Sequence, residues 1–229
     1  MKLSNDELMW INERMKIYDI KFQEIYNEIL DHIITAIEEK RTNGDKRDIL
    51  EVFQNVVDDH FGGYVGIENL SLEQEKIYLK SVKTAWMRSF KYYLNWPMLA
   101  FTVAAVLLSF QLPNVKFVRA FLLVGIFLLA FSPMVYAQIA LAGKFRTIKG
   151  KKSILKGHLL TRTMIPATVL NSMIYMPQFF FIWNDNENYW SNFKHIPVAF
   201  FVPVLMLFVL LNLTAIRYCK EVIAAKSLL

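Results

Sequence analysis

The chain has 229 residues, a formal net charge of +6 and 55% hydrophobic residues. Its charge is divided, since residues 1–70 carry a net −7 and residues 71–229 a net +13. The basic residues flank apolar segments, which is typical of membrane-flanking charge and argues against a nucleic-acid partner. Cys219 is the only cysteine, which excludes an intrachain disulfide and a cysteine-based zinc site.

The first three predicted elements are amphipathic helices. Ser4 and Glu7 have the spacing of a capping box that begins a helix over about 5–16. Apolar residues at helical spacing predict a second helix over about 19–41, which Gly44 ends, and a third over about 46–60.

The stretch EIYNEILDHIITAIEEKRTNGDKRDILEVFQNVVDDHFGG resembles the HAAS-type helical domain of bacterial membrane proteins, in a variant common in Bacteroidetes. The resemblance covers residues 20–66. Its pattern is an acidic-histidine step, a glycine turn and a helix that ends near glycine: Glu28, Asp31, His32, Gly44, Gly62 and Gly63. It implies a regulatory, signalling or interaction module in a bacterial inner membrane protein, and not a catalyst.

Glu28, Asp31 and His32 are also weak candidates for a metal site, because Glu28 and His32 share a helix face. The next acidic-histidine cluster, residues 58–60, ends the third helix. Antiparallel packing would bring the two groups together poorly. We therefore favour helix caps and ion pairs over a metal, and expect no cofactor.

A fourth helix is predicted to begin at Ser71, which forms a second capping-box pattern with Gln74. Residues 71–93 would link the acidic helical domain, residues 1–70, to the membrane. The run from Leu70 to Trp96 contains no glycine or proline. The helix either enters the bilayer directly or lies at its surface and bends near Asn95–Pro97, and we favour the bend.

Four apolar stretches within residues 94–216 are long enough to cross a bilayer core about 30 Å thick. They cover about 94–110, 117–141, 159–183 and 196–216. A buried soluble core is the alternative, but the chain has too little polar sequence to cover four such stretches. The predicted fold is therefore all-α, with a small N-terminal cytoplasmic helical domain, four transmembrane helices and a cytoplasmic tail, residues 217–229.

Lysine and arginine set the expected orientation. They precede the first span, follow the fourth and crowd the loop between the second and third: Lys144, Arg146, Lys149, Lys151, Lys152 and Lys156. Both termini are then cytoplasmic. This inner loop is a candidate contact for anionic lipids or an acidic partner surface, and ordinary topology-setting charge is the alternative. Cys219, near a membrane boundary, is either palmitoylated or a small buried hydrophobe.

The polar residues predicted within the spans are Gln138, Asn171, Ser172, Gln178 and Asn212. No Asp or Glu lies in any span, which argues against ion-coupled transport. Phosphate-binding, hydrolase and metalloprotease motifs are absent from the sequence, so we do not expect an enzyme.

The sequence thus predicts a non-enzymatic regulatory, signalling or accessory protein of the bacterial inner membrane, whose cytoplasmic domain binds a cytosolic or membrane protein. Membrane lipids are its other expected partners, and a homo-oligomer is possible in principle. The alternatives are a small-solute or lipid transporter, or the membrane subunit of a transport complex, and a purely structural subunit. A transporter would line a cavity at membrane depth with the polar residues of the spans.

Overall fold

The computed structural model describes residues 2–142, 148, 150–181 and 196–226. This part of the chain is all-helical, as predicted, apart from an isolated bridge between Phe22 and Lys152. Its α-helices are α1 (Asn5–Arg14), α2 (Gln23–Thr42), α3 (Ile49–Phe61), α4 (Gly63–Tyr93), α5 (Trp96–Ser109), α6 (Lys116–Leu141), α7 (Ile154–Thr163), α8 (Ile165–Phe181) and α9 (Val198–Lys226).

The chain divides into two compact units. Unit 1 contains residues 1–82 and 145–157, and unit 2 contains residues 83–144 and 158–229. One boundary lies within α4 and another within α7, so each unit is built from two separate stretches of sequence.

The capping box at the start of α1 is confirmed. The backbone N–H of Glu7 donates to the Ser4 hydroxyl at 3.2 Å, and the backbone N–H of Ser4 donates to the Glu7 carboxylate at 2.9 Å. These bonds hold the pKa of Glu7 below its ordinary value. Two N–H groups at the helix end are therefore satisfied locally.

The core of unit 1 lies between α2 and α3. Isoleucines on one face of α2 and a matching stripe on α3 are fully buried: Ile25, Ile29, Ile33, Ile37, Val52, Phe53, Val56 and Val57. Trp10 of α1 packs edge-on against Phe53, with ring centroids 5.6 Å apart. Each of these aliphatic side chains stabilises the fold by about 1.5–3 kcal/mol through burial, so this face holds the unit together, as its periodicity predicted.

The predicted start of the fourth helix is wrong, because α4 begins at Gly63 and not at Ser71. Gly62 alone ends α3, with φ at +71°. The first turns of α4 then bury Ile67 against the core, and that burial outweighs the local glycines. Gly66 is needed there, since a Cβ would collide with the Phe61 carbonyl.

The predicted bend after α4 is confirmed. The axes of α4 and α5 differ by 58°, across a break at Leu94 and Asn95. The Asn95 side chain accepts the backbone N–H of Met98 at 3.0 Å, and Pro97 lies in the first turn of α5. A new helix therefore begins at this point instead of a continuation of α4.

Two described helices, α6 and α9, are long and apolar enough to cross a membrane. The bent pair of α4 and α5 would add a third if taken as one span. The chain is thus a candidate membrane protein. The stretch predicted as the third span contains the end of α7 and all of α8, and the two helices are separated at Met164. The C-terminal helix continues past the predicted span end at residue 216, and Cys219 is buried within it.

Within unit 2, α6 packs against α9 and α8. Gly125 of α6 lies under Leu205 of α9, where an added Cβ would come 3.4 Å from the leucine methyl group. The Asn212 side chain of α9 donates to the Leu129 carbonyl at 2.9 Å and contacts the Ser132 hydroxyl on α6. A buried polar residue therefore joins two apolar helices.

We expect Ile33→Asp to unfold unit 1 in the full-length protein. Ile33 is fully buried between α2 and α3. Burying an unpaired carboxylate costs several kcal/mol, which approaches the stability of a small domain. Limited proteolysis in detergent should cleave the variant rapidly within residues 2–61.

The matched control is Leu50→Asp, since Leu50 is exposed on the first turn of α3. Its cleavage pattern should stay that of the wild type. Protection of the Ile33→Asp variant would mean that this face is not the core.

Candidate interaction site

The described part of the inner loop, Ile148 and residues 150–157, packs on the N-terminal helices as part of unit 1. The loop connects α6 to α7. The contact is made with residues 20–26, where the chain enters α2. We call this contact the loop–α2 junction.

Backbone hydrogen bonds fix the register of the junction. The N–H of Gln23 donates to the Lys152 carbonyl at 2.9 Å, and the N–H of Lys152 donates to the Lys21 carbonyl at 3.0 Å. The Gln23 side chain accepts the N–H of Ile148 at 2.8 Å. Gln23 is only 8% exposed, so its polar side chain is buried with a partner.

The carboxylate of Glu24 caps helix α7. One oxygen accepts the backbone N–H of Ile154 at 3.0 Å, and the other accepts the Ser153 hydroxyl. The Ser153 oxygen in turn accepts the N–H of Lys156 at 3.1 Å. A negative charge at a helix N-terminus is favourable because the first N–H groups have no partner within the helix.

Lys151 points into unit 1. Its ammonium group donates to the Ile20 carbonyl at 2.9 Å and lies 4.0 Å from the centre of the Tyr26 ring. Burial lowers the pKa of Lys151, and the nearby Asp19 carboxylate opposes that shift. The Tyr26 hydroxyl donates to the Asn12 side chain at 2.6 Å, which connects the junction to α1.

An open cleft of about 750 Å³ lies beside the junction within unit 1. Its walls carry charges of both signs, including Glu13, Lys16, Asp19, Lys21, Lys151 and Lys152. Glu13 and Lys16 form an ion pair with each other. Asp19, Lys21 and Lys152 are exposed to solvent, whereas the ammonium group of Lys151 is bonded to the Ile20 carbonyl.

The predicted basic loop residues therefore differ in their environment. Lys151 is used within unit 1, whereas the side chains of Lys152 and Lys156 are exposed. Lys144, Arg146 and Lys149 lie outside the described residues. Of the described lysines in the loop, Lys152 and Lys156 are available to a lipid or a partner.

The weak metal candidates do not converge. The Tyr78 hydroxyl donates to Glu28 at 3.5 Å, whereas Asp31 and His32 are exposed. Asp59 pairs with Lys40 at 2.9 Å, and this bond lowers the pKa of Asp59. Among the described residues, no three His, Cys, Asp or Glu side chains are grouped to hold a metal ion.

The polar residues of the predicted spans also lie apart. Asn212 is buried between α9 and α6, whereas Asn171 and Ser172 are exposed on α8 and Gln138 is exposed on α6. The side chain of Gln178 lies outside the described residues. The described members of this set do not line a common site.

Gln23, Glu24, Tyr26 and Ser153 were not identified as site residues from the sequence. A weak signal existed for Ser153, because serine directly before an apolar helical run is a common N-cap. No local pattern links Ser153 to a glutamate that precedes it by 129 residues.

A comparison of the chain with models of known protein families finds no match. Comparisons with curated protein sequences and with solved structures also find none.

We expect Glu24→Ala to release the inner loop from unit 1. The variant loses the acceptor for the Ile154 N–H and the Ser153 hydroxyl. Loss of a helix cap costs about 1–2 kcal/mol, which increases the open population of the loop by roughly 5- to 30-fold. Trypsin should cleave the full-length variant after Lys151 or Lys152 correspondingly faster.

Glu28→Ala, one turn further along α2, is the matched control and should leave this cleavage rate unchanged. Equal cleavage rates in wild type and Glu24→Ala would show that the cap does not hold the loop.

Proposed function

We propose that this chain is a multi-pass protein of the bacterial inner membrane with a non-enzymatic regulatory, signalling or accessory role. Its cytoplasmic helical unit would bind a partner protein, in the manner that the HAAS resemblance implies. The observation that carries the proposal is the loop–α2 junction. Through it, the segment between two apolar helices becomes a structural part of the helical unit.

The junction supports a specific membrane arrangement. The chain leaves unit 1 after Val82, and Ile148 is again bonded within it. If α6 crosses the membrane, the chain must cross an even number of times between these points. The other crossing is then α5 with its flanking residues, although its 14 helical residues cover only about 21 Å. The stretch that contains α8 and the helix α9 supply the third and fourth crossings, which return the C-terminus to the cytoplasm.

The junction also gives partner binding a route to the membrane helices. Glu24 lies in the first turn of α2 and caps the first turn of α7, which leads to α8. A partner that shifts the start of α2 changes the stability of the α7 cap. By thermodynamic linkage, a change in the membrane helices alters partner affinity by the same factor.

The transporter alternative has less support. It requires convergent polar groups at membrane depth, but Asn212 contacts α6, and Asn171 and Ser172 face outward from α8. Asn212 joins two helices and the other two side chains do not converge with it, which favours an accessory or signalling role.

The orientation is tested by cysteine labelling in a Cys219→Ala background. A cysteine at Asn186, in the proposed outer loop, should react with a membrane-impermeant maleimide in intact cells. A cysteine at Lys156, which is exposed in unit 1, should react only after permeabilisation. The reverse pattern would contradict the proposed topology.

Partner binding is tested with the full-length protein purified from its native membrane. Exposed acidic residues on α2, such as Asp31 and Glu39, give unit 1 an acidic surface. We expect a specific protein to co-purify. The double change Asp31→Lys and Glu39→Lys should reduce the amount of this partner at least tenfold, because it places positive charges where the partner's surface is complementary to negative ones.

The charge-preserving control, Asp31→Glu with Glu39→Asp, should retain the partner. If nothing co-purifies with the folded wild-type protein, the partner proposal is wrong. If the charge-reversed variant recovers as much partner as the wild type, the acidic surface of α2 is not the binding site.

A further inference from the structure

Helix α8 has an apolar buried side and an exposed side that carries both polar and apolar residues. Leu170 is buried in the core of unit 2, and Val169 and Ile174 pack beside it. The opposite side of the helix, together with Met164 before it, is exposed. We call this surface the α8 outer face, and it consists of Met164, Thr168, Asn171, Ser172 and Tyr175.

The hydroxyl groups of this face have partners within the helix. The Thr168 hydroxyl donates to the Met164 carbonyl at 3.1 Å, and the Ser172 hydroxyl donates to the Thr168 carbonyl at 3.0 Å. Asn171 differs, because its carboxamide takes part in none of the hydrogen bonds found among the described residues. A carboxamide has two N–H donors and a carbonyl acceptor to satisfy.

Asn171 lies at the midpoint of the predicted span over about 159–183. In the proposed membrane arrangement, on which this inference rests, the exposed carboxamide faces hydrocarbon that offers it no hydrogen bond. Asn212, another polar side chain in an apolar helix, is buried and hydrogen-bonded to α6. Asn171 has no such partner among the described residues, and a second chain packed on this face would supply one.

We propose that the α8 outer face packs against the same face of a second copy, with the two Asn171 side chains hydrogen-bonded to each other. All copies insert in the same orientation, so the two-fold axis of a dimer runs along the membrane normal. That axis brings each residue opposite its own counterpart at equal depth. A carboxamide is self-complementary because it both donates and accepts, so each Asn171 can donate one N–H to the carbonyl oxygen of the other.

The neighbouring side chains suit this arrangement. Thr168 and Ser172 are small and lie one turn apart, which lets two helix backbones approach closely. Their hydroxyl groups are already bonded to their own helix, so they impose no polar cost on the contact. A different membrane protein would have to supply a polar group of its own at the depth of Asn171, whereas a second copy supplies it by symmetry.

The test is disulfide cross-linking of the full-length protein in a Cys219→Ala background, after purification and reconstitution into lipid vesicles. Thr168→Cys and Ser172→Cys are made separately, so that unfavourable geometry at one position does not decide the result. With a membrane-permeant oxidant, at least one should yield a covalent dimer. The control is Leu128→Cys, since Leu128 is also exposed, on α6, and it should remain monomeric.

Asn171→Leu, added to the cross-linking variant, should weaken the association of the two copies about tenfold. The dimer yield should therefore fall when the protein is dilute in the vesicles. Gln138→Leu, which removes another exposed amide on α6, should leave the yield unchanged. Equal dimer yields with and without Asn171 would overturn the role of the carboxamide pair.

Labelling of Asn171→Cys separates this inference from the membrane arrangement. Rapid reaction with a water-soluble maleimide in vesicles would place α8 outside the hydrocarbon and overturn both proposals. Protection without a covalent dimer would overturn the second copy alone. Cross-linking to a different protein in native membranes, without a dimer of this chain, would also overturn it.

Discussion

The carboxylate of Glu24, held at the start of α7, joins two parts of the chain that are far apart in sequence. It accepts the first N–H group of a helix that begins 130 residues later. The backbone bonds of Gln23 and Lys152 fix the register beside it. Helix ends and loop backbones must find hydrogen-bond partners when they are buried, and here those partners come from the entrance to α2. Because of this contact, the described part of the loop belongs to unit 1.

The contact also restricts the topology of the apolar helices. A segment that folds with residues 1–82 must be on their side of any membrane that the chain crosses. Closing the long connection through residues 83–144 costs entropy that grows only logarithmically with length. A short polar junction can therefore offset the cost of closing this connection.

Features that depend on residues close together in the sequence could be predicted from it. The isoleucine face of α2, the capping box of α1 and the bounds of α6 all come from local patterns, and the bend before Pro97 comes from a steric rule. The start of α4 was missed because burial of Ile67 outweighs the glycines before it. The break between α7 and α8 was also missed, although Pro166 lacks the N–H that would continue the helical bonds.

The junction itself was beyond local patterns because its partners are 125 to 131 residues apart and mostly involve backbone atoms. The loop lysines also differ in their environment, which their shared charge does not indicate. Lys151 binds the Ile20 carbonyl and the Tyr26 ring, whereas Lys152 and Lys156 face solvent. Charge counting determines on which side of a membrane such residues lie, but not which of them is used in folding.

The end of α4 packs against α9 within unit 2. Trp86 packs edge-on against Tyr218, and the Arg217 guanidinium lies 3.5 Å from the centre of the Tyr92 ring. Three buried hydroxyl groups in these two helices have no hydrogen-bond partner among the described residues: those of Ser89, Thr214 and Tyr218. Each such group opposes the packing by about 1–3 kcal/mol. Local opening of a protein begins where favourable contacts are few and opposed. The same α4 continues into unit 1, so these unsatisfied hydroxyl groups oppose the packing of a helix that both units share.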